Sequence, residues 1–525
     1  MNKIQFFLIT SINLLFAIAF FLSNNNAEVT EISGDLANII PICKKLDNPD
    51  LFKNDLFLND INNVKYYTPF YVETLRFVAK FTDLNYIRAL NIVSLFTHFL
   101  YGMLWFYLLF LIKKDFILAV IFSIFMRGVI WPPGMELLGI GDLWTIMPRT
   151  IFSALIPLPF IIYKITNHKT YFAAIVLGLL VNFHPISGIG AVVVYLSLYF
   201  FNNYFSENAF SYQFYKNFLI SILLILIGLI PYSLTYLNNV KTASVVNQML
   251  FTEAIHARID ESFFNSISFL KNWSRPFTYL FSFAFALYYF ADKSLKKINF
   301  KMVFFSILTL LVFCNILPFL ENQVNHIFNL NIRIAFQLIR AQKLVIELLQ
   351  ISIFLLFVEL AIYFKINNYL KIAVLCLYVF MLSISSASIF DNVPLIGDDV
   401  SRYLLPNNLN IYSRKIKNSK KLLQVFDFVN LNTPPNSIFY CENVYFRTAT
   451  NRSEILDFHA ASILIEGNAP AFVNAYVAAL TFRKSNYDQK VAYLKLKKVK
   501  YVIDNKKWNS LALVFSNSDF YIYKL

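Results

Sequence analysis

The chain has 525 residues, 58% of them hydrophobic and 18% aromatic, with a mean hydropathy of +0.55 and a formal net charge of +15. A soluble fold cannot hide that much apolar surface, because the buried fraction saturates with size, so the class is a polytopic α-helical membrane protein. The positive charge does not point to nucleic acid, since the lysines fall mainly in short loops and in the tail, where they report orientation.

A spanning helix needs about 20 apolar residues, and about eleven segments are candidates by that rule. They run approximately over 4–22, 90–112, 116–131, 149–163, 171–183, 186–201, 218–237, 276–291, 302–320, 344–364 and 371–389. The first exceeds the roughly 7 to 15 apolar residues of a signal peptide and has no small-x-small cleavage site after it, so it reads as a retained anchor. Connections bearing Lys113 and Lys114, Lys164 and Lys169, Lys216, Lys293 to Lys301, and Lys365 and Lys371 are short and nearly free of acid, which predicts that they face the cytoplasm. The longer connections, 23–89, 132–148, 238–275 and 321–343, then share the exoplasmic face with the C-terminal tail.

Between the first two spans, Ser23 to Thr68 is a polar segment of roughly 45 residues, too long for a turn between helices, which predicts a folded cap on the membrane. It carries Glu28, Glu31, Asp35, Asp47, Asp50, Asp55 and Asp60. Asp35, in ISGDLANII, reads either as a helix N-cap or as a general base or metal ligand at the membrane surface. Asp55 and Asp60 are weaker candidates and read first as solvated loop acids.

The segment WPPGMELLGIGDLWTIMPRT holds Glu136, Asp142 and Arg149. Arg149 follows Pro148 at a predicted helix start, where N–H groups and guanidinium together suit a phosphate; its other reading is an interfacial Arg reaching lipid headgroups. Arg127, inside the third span, needs a partner, and Glu136 and Asp142 are the natural ones. His184-Pro185 predicts a tight outward reversal carrying one imidazole, either structural or hydrogen-bonding to substrate. In NIRIAFQLIRAQKLVIELL, Arg333, Gln337, Arg340, Lys343 and Glu347 fall at helical spacing and predict a cationic stripe entering the tenth span.

The apolar periodicity stops near Asp391, dividing a membrane domain (1–390) from an exoplasmic α/β domain (391–525). In the latter, KKLLQVFDFVN and QKVAYLKLKK read as helices, SIFYC and KYVID as strands, and ALVFSNSDFYIYKL as a hairpin, with polar turns after SIFYC. No GxGxxG or GxxxxGK[ST] occurs. Of the four cysteines, none has metal-ligand spacing, and a Cys43 to Cys441 disulfide is compatible with the sequence but unsupported by it.

In this order, a first span, a long acidic outer loop with SGDLANII, many further spans and a small tail domain ending in a YVID strand resemble the GT-C superfamily of integral-membrane glycosyltransferases. The resemblance implies an inner-membrane enzyme that takes a sugar from a polyprenyl-phosphate donor to a glycan, lipid or protein acceptor. It implies catalysis by the first-loop Asp, here Asp35, and donor-phosphate binding by basic outer-loop residues, here Arg149 and Arg340. No adjacent acidic pair follows Asp35, and Glu136 and Asp142 are too far apart for ExD or DxD, so a divalent metal is left open and no other cofactor is indicated. The competing reading is a transporter or flippase whose pathway is lined by Arg127, Glu347 and Glu359.

Overall fold

The computed structural model describes residues 1–23, 27–126, 146–166, 170–205, 211–235, 247–259, 298–328, 338–385 and 420–525. Five helical segments among them are long and apolar enough to cross a membrane: Lys3–Leu22, Tyr86–Ile112, Pro185–Tyr204, Lys301–Phe328 and Leu338–Tyr363. The expected span at 276–291 lies outside the described residues, as do Arg127, Glu136, Asp142, Arg333 and Gln337.

Helix α1 (Lys3–Ser23) carries no charge after Lys3 and lies along α4. The outer loop carries two α-helices and a 3-10 turn joined by turns. Its α2 (Gly34–Asp47) begins at Ser33, whose Oγ accepts from Leu36 N at 3.3 Å, and a 3-10 turn at Ile61–Asn63 is capped by Asp60. Helix α3 (Pro69–Ala79) starts on a proline, where a missing N–H costs nothing. The N-cap of α2 is therefore Ser33 and not Asp35, which sits in the first turn.

The bundle continues with α4 (Tyr86–Ile112), α5 (Phe116–Phe125), α6 (Pro148–Leu155) and α7 (Pro157–Ile165). The span expected at 149–163 is thus two short helices. Pro157 has no N–H for the carbonyl of Ser153 four residues earlier, and that carbonyl instead accepts from Trp105 Nε1 at 3.0 Å. After α8 (Thr170–Val181), α9 (Pro185–Tyr204) and α10 (Tyr212–Gly228), a close approach links α8 to α10. A Cβ on Gly178 would lie 2.3 Å from the carbonyl oxygen of Ile225, so only glycine lets these backbones meet. Helix α11 (Gln248–Arg258) packs with the outer loop and the tail, and α12 (Ile298–Phe328), a 3-10 turn at Leu338–Lys343, α13 (Leu344–Tyr363) and α14 (Asn368–Ser385) complete the bundle. Of the stripe expected on one α-helical face, Arg340 and Lys343 lie on the 3-10 turn and Glu347 in the first turn of α13. Leu219, Leu223 and Leu226 on α10 and Val312, Ile316 and Phe319 on α12 point outward. That exposure suits lipid contact, since hydrocarbon solvates apolar side chains.

The tail comprises α15 (Lys420–Asn432), β1 (Ile438–Tyr440), α16 (Phe446–Thr450), β2 (Ser453–Ile455), α17 (Leu464–Gly467), α18 (Ala469–Lys484), α19 (Tyr487–Leu496), β3 (Tyr501–Asp504), β4 (Ala512–Ser516) and β5 (Tyr521–Lys524). The sheet order is β2-β1-β3-β5-β4, parallel among β1, β2 and β3 and antiparallel at β5 and β4. Alternation places Phe439, Tyr501, Ile503 and Ile522 against α15 and α16, and Ile438, Tyr440, Val502 and Tyr523 against α18 and α19. The stretch expected as polar turns after β1 is instead α16, β2, α17 and α18.

Outer loop and tail share one core, in which Phe57, Leu58 and Tyr71 pack with Ile463, Leu464 and Phe472 and with Phe251 of α11. At its centre Arg447 is fully buried. Its Nε lies 2.7 Å from Asp55 Oδ2, and its Nη1 lies 2.6 Å from Asp457 Oδ2 and 3.2 Å from Glu454 Oε2. Asp55 also accepts from the backbone N–H groups of Phe57, Leu58 and Glu454. Asp55 is thus a buried structural acid and not a solvated one. Cys43 and Cys441 are both buried free thiols in separate cores, with no disulfide between them.

Candidate functional site

A cavity of about 520 Å³ opens where the outer loop, the tail and the helix ends meet. Asp35, Arg149, His184 and Arg340, four residues singled out from sequence, all line it. The side chain of Lys343 lies outside the described residues.

Each is placed by local rules. Ser33 starts α2 so that Asp35 projects from the first turn, with its side chain 56% exposed. The Met147-Pro148 start of α6 puts Arg149 at the second helical position, with its side chain 16% exposed and Nη1 4.0 Å from Asp35 Oδ2. His184 caps α9 ahead of Pro185, its Nδ1 accepting from Ser187 N at 3.2 Å and lying 2.7 Å from Ser187 Oγ. The cap and the cavity position are two roles of one imidazole. Arg340 enters from the 3-10 turn before α13. It repels Arg149, and both are drawn to Asp35.

Four further residues went unnoticed in the sequence. Tyr67 ends the outer loop and couples electrostatically to Asp35, Arg340, Arg149 and Glu466. Burial, reinforced by Asp35, pushes its phenol above the usual range, so it stays a hydrogen-bond donor. Arg258, the last residue of α11, donates from Nε to the carbonyl of His459 at 2.8 Å and is attracted by Asp35. Tyr232 is set by Asn182, whose Oδ1 accepts from Tyr232 N at 2.8 Å while its Nδ2 donates to Gly228 O at 2.9 Å. Glu466 comes from α17 in the tail, and burial, reinforced by Glu321 of α12, pushes its carboxyl up to about 8. A clue for Tyr67 was its position in YYTP at a helix start; Arg258 and Glu466 had no comparable local signal.

The tail wall is held rigidly. A Cβ on Gly467 would lie 2.0 Å from the carbonyl oxygen of Asn63, so α17 presses backbone to backbone on the outer loop. Asn468 Nδ2 donates to Asn63 Oδ1 at 3.0 Å, and Tyr66 donates its hydroxyl to the carbonyl of Ile463. Asp457, gripped by Arg447, also accepts from Ala460 N at 3.0 Å just before this wall.

Chemically, the cavity offers, among the described residues, three guanidiniums, one exposed carboxylate and several uncharged hydrogen-bonding groups. Such a set can hold an anion and accept a proton beside it. Asp35 is the carboxylate available to a cation; among the described residues no group of three His, Cys, Asp or Glu side chains forms a metal-holding set. Comparison with protein-family models finds no matching family, and comparison with curated proteins finds no matching relative.

Proposed function

We propose that the chain is a membrane glycosyltransferase that moves a sugar from a polyprenyl-phosphate donor to an exoplasmic glycan, lipid or protein acceptor. The observation that carries this reading is the gathering of Arg149, Arg258 and Arg340 around Asp35 in one cavity at the helix ends. In the reaction, Asp35 takes the proton of the acceptor hydroxyl as its oxygen attacks the anomeric carbon. The bond from that carbon to the phosphate oxygen breaks, and its electron pair leaves with the phosphate, whose charge Arg149 and Arg340 stabilise. Tyr67 supplies a neutral donor between base and cations.

A lipid-borne donor has a tail to place. From Arg340, Leu344, Leu348, Ile351 and Leu355 lead along α13 into a second, mostly apolar cavity of about 180 Å³ shared with Trp105, Leu108 and Val194. This supports a hydrophobic chain running down from the phosphate site. Glu347 also lines that chamber, whereas Glu359 pairs with Lys113 at 2.6 Å. In the competing transporter reading, donor label would cross sealed vesicles in a Glu347-dependent way without covalent transfer.

Arg340→Ala is expected to weaken donor binding by about 1.5–3 kcal/mol, the size of a charge-assisted hydrogen bond, with folding retained. Titration of the solubilised protein with a polyprenyl-phosphate sugar checks it. Unchanged affinity removes Arg340 from the phosphate site.

We also propose a cytoplasmic N-terminus with the tail exoplasmic, on the distribution of lysines among the loops. In a Cys376→Ser background, an impermeant maleimide should label Ser516→Cys on intact cells and Lys216→Cys only after permeabilisation. Both positions are exposed. Labelling of the two from one side overturns the orientation.

A further inference from the structure

The cavity is chemically divided. Arg149 and Arg340 enter from the membrane helices, and Arg258 from α11, which is tied to the tail at the His459 carbonyl, whereas the tail contributes Ser462 and Glu466 and the outer loop adds Tyr66 and Tyr67 beside Asp35. An anion has its partners on the first wall. The second wall offers the Ser462 hydroxyl, the Tyr67 phenol and the half-buried Glu466 carboxyl, the Tyr66 hydroxyl being donated to the Ile463 carbonyl.

We propose that Glu466 and Ser462 bind the acceptor, and that the acceptor is a neutral polyhydroxyl compound of the carbohydrate class, seated beside Tyr67 within reach of Asp35. This rests on the glycosyl-transfer reading and names the substrate of its second half. Three features support it. The wall is rigid, because Gly467 and Asn468 lock α17 against Asn63, so Glu466 is held at a defined place in the cavity. Tyr67, Glu466 and Asp35 line the same cavity, so acceptor holder and base face one space. Finally, a carboxyl that keeps its proton at neutral pH both donates and accepts without attracting an ammonium group, a pattern matched to hydroxyls. Among the described residues, the charged and titratable groups that act on Glu466 or line the cavity with it are Glu321 of α12, Tyr66 and Tyr67 and Asp35 of the outer loop, Arg258 of α11, and Arg149, His184, Tyr232 and Arg340 of the bundle. Glu321 reinforces proton retention. With that carboxyl at about 8, its donor function is present below that pH and is lost as pH rises through it.

The test uses the full chain in lipid nanodiscs and saturation-transfer NMR. The probes are methyl α-mannoside, methyl β-glucoside, a neutral acetylated Ala-Ser-Ala amide peptide and inorganic pyrophosphate. At pH 7 a methyl glycoside should contact the wild type and Glu466→Gln alike, and Glu466→Ala should weaken it about fivefold to tenfold, as for one lost hydrogen bond. At pH 9 the wild type should bind the glycoside more weakly, by no more than the Glu466→Ala loss, and Glu466→Gln should be unchanged, a pattern that misfolding cannot produce. Equal glycoside contact in Glu466→Ala overturns the inference. So does a Glu466-dependent contact with the peptide in place of the glycosides, or pyrophosphate binding with no glycoside contact at all; in the last case the donor reading stands. Pyrophosphate binding that ignores Arg340→Ala counts against the donor reading, and the glycoside result still decides the role of Glu466.

Discussion

Asp35→Asn is expected to lower sugar transfer by about 100-fold to 10,000-fold, the usual contribution of a general base, while leaving the melting temperature of the protein nearly unchanged. The structural reason for the second half is specific. Ser33 caps α2, so the helix start does not depend on the Asp35 carboxylate. The carboxylate is 56% exposed and its pairing with Arg149 is 4.0 Å long, so its removal costs at most about 1 kcal/mol of stability. Asparagine keeps the shape and the hydrogen-bonding oxygen but cannot take a proton from an attacking hydroxyl. The measurement is transfer from a labelled polyprenyl-phosphate sugar in membrane vesicles, paired with a thermal melt of the purified variant. Near-parental transfer by a folded Asp35→Asn protein would falsify the assignment and return the base to Glu136 or Asp142, since Asp55 is committed to Arg447 and Asp60 to its cap.

Arg447→Ala is expected to destabilise the joined outer body by about 3–5 kcal/mol, the cost of removing one partner from a buried ionic cluster. Three carboxyls converge on this guanidinium, and Phe57 covers its face at 4.6 Å. Burial, with Arg447 opposing and Asp457 reinforcing, pushes the Glu454 carboxyl well above its usual range, and the shorter contacts to the guanidinium are those of Asp55 and Asp457. Without Arg447 those two carboxylates have no cation in a dry core. Because Asp457 leads into the wall that bears Ser462 and Glu466, the loss should reach the cavity as well. Limited proteolysis of the tail and a thermal melt read the effect. Adding Asp55→Asn to Arg447→Ala removes one stranded charge and should recover part of the stability. If the single variant melts like the parent, the cluster does not hold loop and tail together.

The sequence by itself determined the features that depend on neighbours within a turn or two. Apolar runs marked helices, five of which among the described residues are long and apolar enough to cross a membrane, Pro148 and His184-Pro185 marked the starts of α6 and α9, and alternation marked β1, β3 and the closing hairpin. Asp35, Arg149, His184 and Arg340 were singled out from their local sequence, where Asp35, Arg149 and His184 each had a structural reading beside the functional one, and the fold brings the four into one cavity. Tertiary structure decided which acids matter. Asp35 and Asp55 look alike in the sequence, yet one projects into a cavity and the other is sealed under an arginine 392 residues away. The same long-range packing placed Tyr67, Arg258 and Glu466 beside Asp35. It also left Cys43 and Cys441 in different cores and split the expected span at Pro157 once Trp105 took the freed carbonyl. Burial and partner identity arise from contacts between distant segments, and local spacing carries no record of them.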